Sequence, residues 1–293
     1  MAVYLSAISV SPSYPHITNY PISANLPSNV AVLKRRYFTT VQLQCLGFQF
    51  GCDVEQHTQE SKIHWDNFYH RHQNKFFKDR HYLEKDWGPY FCDDNPAIRS
   101  NRKIILEAGC GTGNTIFPLA KTYPKLYVHA CDFSHHAVTL VKANPKFRED
   151  QMNIFVCNIV EDNLCNHIQP ASVDVVTLIF TLSAVSPEKM PIVVENIGRV
   201  LKPNGHVLIR DYAIGDYSQL MLMNKNQVIS ENFYFRGDGT TSFYFSEDHL
   251  SNLFIRSEFG VVDIDTYNKE LKNRARNITM NRYCSFSVYM FRF

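Results

Sequence analysis

Gly109, Gly111 and Gly113 stand at alternate positions in "IILEAGCGTGNTIFPLA", between a short apolar run and a helix-like pattern. A strand, a glycine turn and a helix in that order form one repeat of an α/β sheet. The alternation continues along the chain. "KIILEAG" reads as a buried strand, "NTIFPLAKTY" as a helix, "LYVHACD" as a strand and "HHAVTLVKAN" as a helix. "NIFVCNI" and "VDVVTLIF" read as further strands. "SPEKMPIVVENIGRVL" reads as a helix with Ser186 as N-cap and Pro187 at its first position, Pro191 distorting the first turn. "PNG" at 203–205 turns the chain into the strand "HVLIRDY". Strands this continuously apolar are covered on both faces, so the fold class is α/β with a mostly parallel sheet.

The end of the chain differs. "NFYFRGDGTTSFYF" has the form of a hairpin turning at 237–239 between aromatic residues. "SEDHLSNLFIRSEFG" reads as a helix capped by Ser246 and closed near Gly260, followed by the strands "VVDIDTY" and "YCSFSVYMFRF".

The amino end is of another kind. Its first acidic residue is Asp53, and its only strong charges before that are Lys34, Arg35 and Arg36. Two readings stay open: an organellar transit segment, or a disordered extension broken by prolines at 12, 15, 21 and 27. The folded part is expected to begin near Ser61. No apolar stretch has the length of a membrane-spanning helix. Eight cysteines without a CxxC pair argue for reduced, buried thiols in an intracellular protein, with the cytoplasm as the expected place and an organelle as the alternative. His64, His70, His72 and His81 lack the spacing of a metal site, so none is expected. A net charge of +2 means that any nucleic acid must be held by local basic patches.

Glycines after a strand let the backbone approach a ligand without Cβ clashes. A dinucleotide fingerprint needs a sixth-position glycine, and here Asn114 stands there. The Glu-x-Gly-x-Gly-x-Gly form, with Glu107 closing the strand, is instead that of S-adenosylmethionine sites. Asp132 ends the second strand, where a carboxylate can accept both ribose hydroxyls. Asn158 ends the third, where an amide can meet the adenine edge. Singly these are a helix-start residue and a turn former; in register they point to a nucleoside cofactor.

Several linked motifs carry a resemblance: "WDNFYHRHQNKFFKDRHYL", "ILEAGCGTGN", "ACDFS", "LSAVSPEKM", "VLKPNGHVLIRDYA" and "ENFYFRGDGT". From about Lys62 onward the chain resembles the eukaryotic enzymes that make N3-methylcytidine in tRNA. The resemblance implies the class I, Rossmann-like methyltransferase fold, with seven strands, helices on both faces and an antiparallel strand near the carboxyl end. The chain is thus expected to divide into a disordered or targeting extension over 1–60, a helical lid for cofactor and RNA over 61–100, and the methyltransferase domain over 101–293. It places Trp65 and Tyr69 over S-adenosylmethionine and Gly109 in its loop. Asp132, followed by Phe133, lies at the ribose, Asn158 with Ile159 at the adenine, and Ile179 in the same pocket. The family carries Asp where this chain has Asn158. The partner it implies is tRNA, methylated at an anticodon-loop cytidine, with seryl-tRNA synthetase as the adaptor some relatives use; the chain itself is expected to be a monomer.

Neutral cytosine N3 carries a free lone pair, so the reaction calls for alignment and no general base. Asp211 is the candidate for stabilising the cationic product ring, and Tyr212, Phe233 and Tyr234 for stacking the base, with core packing the competing role for Phe233. A helix running through 65–81 would turn Trp65 and Tyr69 inward and carry Arg71, Lys75 and Lys78 outward to RNA phosphates. Arg80 and Arg236 join them as RNA-binding candidates, and the basic strip "KELKNRARN" is a second phosphate-binding candidate or a plain exposed strip. Two rivals stand beside this reading: a catalytically weak RNA-binding partner subunit, which Asn158 motivates, and a methyltransferase of small molecules or proteins on the same fold.

Overall fold

The computed structural model describes residues 52–92, 102–273 and 277–292. The extension as far as 51 and the middle of the basic strip lie outside the described residues. Helix α1 (Cys52–His72) and helix α2 (Leu83–Phe91) precede the sheet. The expected boundary at Ser61 therefore falls inside a helix.

The sheet alternates as the sequence predicts: β1 (Ile104–Ala108), α3 (Ile116–Thr122), β2 (Tyr127–Asp132), α4 (His135–Lys142), β3 (Met152–Val156), β4 (Val173–Ile179), α5 (Met190–Val200) and β5 (Leu201–Tyr212). Then come α6 (Tyr217–Asn224), β6 (Val228–Ser230), β7 (Phe233–Phe235), β8 (Thr241–Phe243), α7 (Glu247–Ile255), β9 (Phe259–Asn273) and β10 (Ile278–Phe291). Seven strands pair in the order β3-β2-β1-β4-β5-β10-β9. The first five run parallel, and β10 is antiparallel to both β5 and β9. The predicted hairpin is β7–β8, which β6 completes as a separate three-stranded sheet.

Side chains alternate along the five parallel strands, and those on both faces are buried in two cores. Leu106, Val176, Leu178, Val207 and Ile209 enter one core with α5 and α7. Ile105, Val175, Ile179 and Leu208 enter the other with α2, α3 and α4. Helix α5 buries Met190, Val193, Val194, Ile197 and Val200, the three-and-four spacing of one helical stripe. It starts later than predicted. Pro191 has no N–H to close an α-helical bond onto Pro187, so 187–189 form a tighter 3-10 turn and Ser186 makes no capping bond. Ser246 does cap α7, accepting the His249 N–H at 3.1 Å.

Helix α2 belongs to the core rather than to a lid. Leu83, Trp87 and Phe91 are buried, each worth roughly 1.5–3 kcal/mol in apolar area. Trp87 stacks on Phe286, and the Arg210 guanidinium, which pairs with Asp86 at 2.7 Å, lies over the Tyr82 ring.

Candidate functional site

The site lies beyond the carboxyl ends of the parallel strands, where open α/β sheets place their ligands. After β1 the Gly109 and Cys110 N–H groups both donate to the Cys131 carbonyl, at 2.8 and 2.9 Å. Gly109 has φ 74°, and a Cβ there would stand 2.4 Å from Thr181 Cγ2. Gly111 has φ 54°, and its Cβ would stand 2.8 Å from Tyr69 Oη. The loop is thus pressed between the segment after β4 and helix α1, and a side chain at either glycine would close the gap.

Asp132 fastens this loop. Its two carboxylate oxygens accept the Gly111 and Ser134 N–H groups, each at 2.9 Å. Burial pushes its carboxyl up to about 6 against the pull of those two bonds. Each oxygen keeps a second lone pair, so two ribose hydroxyls can still be accepted, in competition with the loop.

Two cavities meet here and share Trp65, Tyr69, Gly109, Phe180, Ala184 and Thr241 as walls. The first adds Asp132, Phe133, Asn158 and Ile159, which are the residues expected at a nucleoside. Asn158 is already engaged in its own turn. Its side-chain oxygen accepts the Val160 N–H at 3.1 Å, and its backbone N–H donates to Asp162 at 2.8 Å. One lone pair and the amide NH2 are left for an adenine edge. Sequence reasoning missed Asp162, although an acid four residues beyond a turn former was a readable sign. The Trp65 indole N–H is buried with no acceptor among the described residues.

The second cavity, of about 290 Å³, adds Glu107, Tyr212 and the cations Lys78, Arg80, Arg236 and Arg282. Ile179, expected in the cofactor pocket, ends β4 and lines this cavity and not the first. Glu107 Oε2 and Arg80 Nη1 are both buried without a hydrogen-bond partner among the described residues. Burial pushes the Glu107 carboxyl up to about 8, with a Thr115 hydrogen bond and the Arg80 charge acting the other way. The Arg80 guanidinium stands 5.1 Å over Phe180, and that of Arg236 5.2 Å over Tyr212. Sequence reasoning also missed Arg282, the single charged residue of β10.

Three expectations are corrected. Asp211 is fully buried and lines neither cavity. Its carboxylate accepts the Ser183 and Tyr212 N–H groups at 2.9 Å each, holding the floor on which those two residues face the second cavity. Tyr234 turns away as well: its hydroxyl accepts from Gln219 on α6. Phe233 is at once core and wall of the first cavity. The third concerns the basic face. Gln73, at φ 53°, ends α1 with its N–H on the Tyr69 carbonyl, and Phe76 and Phe77 fold back onto Phe68. Lys75 and Lys78 therefore stand past the helix. Arg71, Lys75 and Lys78 are all exposed, and of the three only Lys78 reaches a cavity.

A model of the methyltransferase domain family matches residues 106–207. The human tRNA N(3)-cytidine methyltransferase METTL6 is 40% identical over 225 residues, covering 76% of this chain and 78% of its own length. The fission yeast tRNA N(3)-methylcytidine methyltransferase trm141 is 39% identical over 233 residues, covering 78% of this chain and 92% of its own. Among solved structures, an S-adenosylmethionine-dependent methyltransferase from Anabaena variabilis superposes with a TM-score of 0.59 at 12% identity, over 79% of this chain and 95% of that one. That likeness speaks for the fold alone.

Proposed function

Since the chain belongs to the tRNA N(3)-cytidine methyltransferase family, we infer that its joined cavities bring S-adenosylmethionine against a tRNA cytidine. The reaction is methylation of N3. The observation that carries this reading is the junction at Gly109, where a cavity with nucleoside-binding groups opens into one ringed by cations.

The residues present fit the cofactor. Asp132 and Asn158 offer acceptors for the ribose and adenine in the first cavity. At the other side of the junction, the unmet Glu107 oxygen suits an ammonium and the unmet Arg80 nitrogen a carboxylate, the two charges of an amino-acid end. When bound, S-adenosylmethionine supplies a methyl group made electrophilic by its sulfonium.

The chain has no proton to remove, because N3 of neutral cytosine already presents a lone pair. Its task is to hold a base flat and aimed, which Tyr212 and Phe180, 4.9 Å apart at the wall, are placed to do by stacking. Trp65 and Tyr69 exclude water from the junction. Lys78 and Arg282 meet the backbone of the incoming strand.

An anticodon-loop cytidine suits such a cavity, since an unpaired base can swing in without breaking a helix. The finer elements of the reading are a monomeric chain, a seryl-tRNA synthetase adaptor of the kind some relatives use, and work in the cytoplasm. A fluorescent reporter fused to residues 1–50 tests the last, and import into an organelle would reject it. The activity itself is tested by nucleoside mass spectrometry of tRNA from cells lacking the protein. Loss of N3-methylcytidine from a subset of tRNAs is expected, and an unchanged level would refute the reading.

A further inference from the structure

Helix α1 carries Trp65 and Tyr69 over the first cavity, yet little apolar surface attaches it there. Among the described residues its buried hydrophobic cluster is the small one of Phe68, Tyr69 and Ala137, separate from both cores of the sheet. A polar attachment supplements it. Asp66 lines neither cavity and turns instead toward the start of α4. Its Oδ1 accepts the Ser134 hydroxyl at 2.6 Å and the His136 N–H at 3.0 Å. A carboxylate is favoured at that place by the unpaired N–H groups of a helix start.

Ser134 is the middle of a chain. Its Oγ caps α4 by accepting the Ala137 N–H at 3.1 Å, while its own N–H donates to Asp132 at 2.9 Å. One buried serine thus joins the carboxylate of the lid to the carboxylate of the nucleoside cavity. Gln73 adds a contact to the His136 ring at 3.2 Å. Burial pushes the Asp66 carboxyl up, but its bonds to Ser134 and His136 prevail and hold it below the ordinary range, so it is ionised.

We propose that Asp66 is a positioning residue for the helix that covers the cofactor, a latch that holds α1 on α4 and so sets how long the cofactor stays beneath Trp65 and Tyr69. The proposal rests on the S-adenosylmethionine reading of the first cavity. Asp66 touches no reacting atom. It acts through Ser134 and α4 on the two rings that cover the cavity.

The test uses the full chain with Asp66→Ala and Asp66→Asn. Asp66→Ala should speed S-adenosylmethionine dissociation, read by stopped-flow, by about tenfold or more, the scale of a lost charge-assisted bond. Asp66→Asn keeps an oxygen that can accept both bonds and should restore most of the residence time. At saturating cofactor and tRNA, kcat should stay within about twofold, a split that a general folding defect would not give. In a cycle with Ser134→Ala, the double variant should cost clearly less than the sum of the single ones. Hydrogen exchange without cofactor gives an independent arm: Asp66→Ala should lose protection in 60–72 while β1, β2, β4 and β5 keep theirs. An unchanged dissociation rate, strict additivity in the cycle, or unchanged protection of 60–72 would each overturn the latch. Should the wild-type chain bind no S-adenosylmethionine, the cofactor reading fails and the exchange experiment alone decides whether Asp66 holds the helix.

Discussion

Arg282 gives its Nε–H to the fully buried Asp216 at 2.8 Å, and the same carboxylate oxygen takes the Tyr283 N–H at 2.9 Å. The guanidinium at the rim of the second cavity is thus fixed from behind. Lysine cannot supply the planar fork that pairs with Asp216 and faces the cavity at once. Arg282→Lys should lower kcat/KM for tRNA by about tenfold, and Arg282→Ala by at least as much, with cofactor affinity unchanged by calorimetry.

Gly109→Ala puts a methyl group where Thr181 already stands and forces alanine into left-handed backbone. The strain is of order 1–3 kcal/mol before any packing change. The folded variant should bind S-adenosylmethionine at least about tenfold more weakly and melt several degrees lower. Trimming Thr181 to Ser in the same chain should not restore wild-type stability, since φ stays unfavourable.

Asp132→Ala should weaken cofactor binding by about 1.5–3 kcal/mol, as loss of a charged acceptor does. With its carboxyl held at about 6 by burial, the wild-type side chain is ionised at neutral pH and gains a proton as pH falls through 6. Cofactor affinity should therefore drop on that acidic limb. Asp132→Asn should abolish the limb, and a variant that keeps it would assign the titration elsewhere.

Glu107 gives a stability signature in the absence of ligand. Its folded value of about 8 lies above its ordinary value of 4.5, so between the two the folded state binds the extra proton. Stability from this group is full below 4.5 and is lost as pH rises toward 8, at no more than about 1.4 kcal/mol per pH unit. Urea denaturation at pH 6 and pH 8.5 should show the wild type losing more than Glu107→Gln.

Replacing Arg71, Lys75 and Lys78 together with Ala should raise the KM for tRNA and flatten its salt dependence, because up to three counterion-releasing contacts go. Cofactor affinity should hardly move. A wild-type salt slope in the triple variant would take these side chains off the RNA path.

The parallel sheet was legible because its strands are buried on both faces and read as apolar runs, with Gly109 and Asp132 at strand ends. What escaped depends on backbone that no pattern reports. Gln73 in left-handed conformation stops α1 and sends Lys75 and Lys78 off the helix. Asp211 and Asp132 look alike in sequence, each an Asp at the carboxyl end of a strand. They part because the 182–184 turn folds over Asp211 and takes its carboxylate for a backbone N–H. Arg282 stayed hidden because its role depends on the buried Asp216, sixty-six residues earlier in the chain.

The ring of Lys78, Arg80, Arg236 and Arg282 also bears on how the reaction ends. Cytidine enters that chamber neutral and N3-methylcytidine leaves it positively charged, while the cofactor's sulfonium charge disappears next door. On the proposed reading the base gains its charge beside Arg236 and Arg282, whose repulsion works against the methylated product and not against the unmodified substrate.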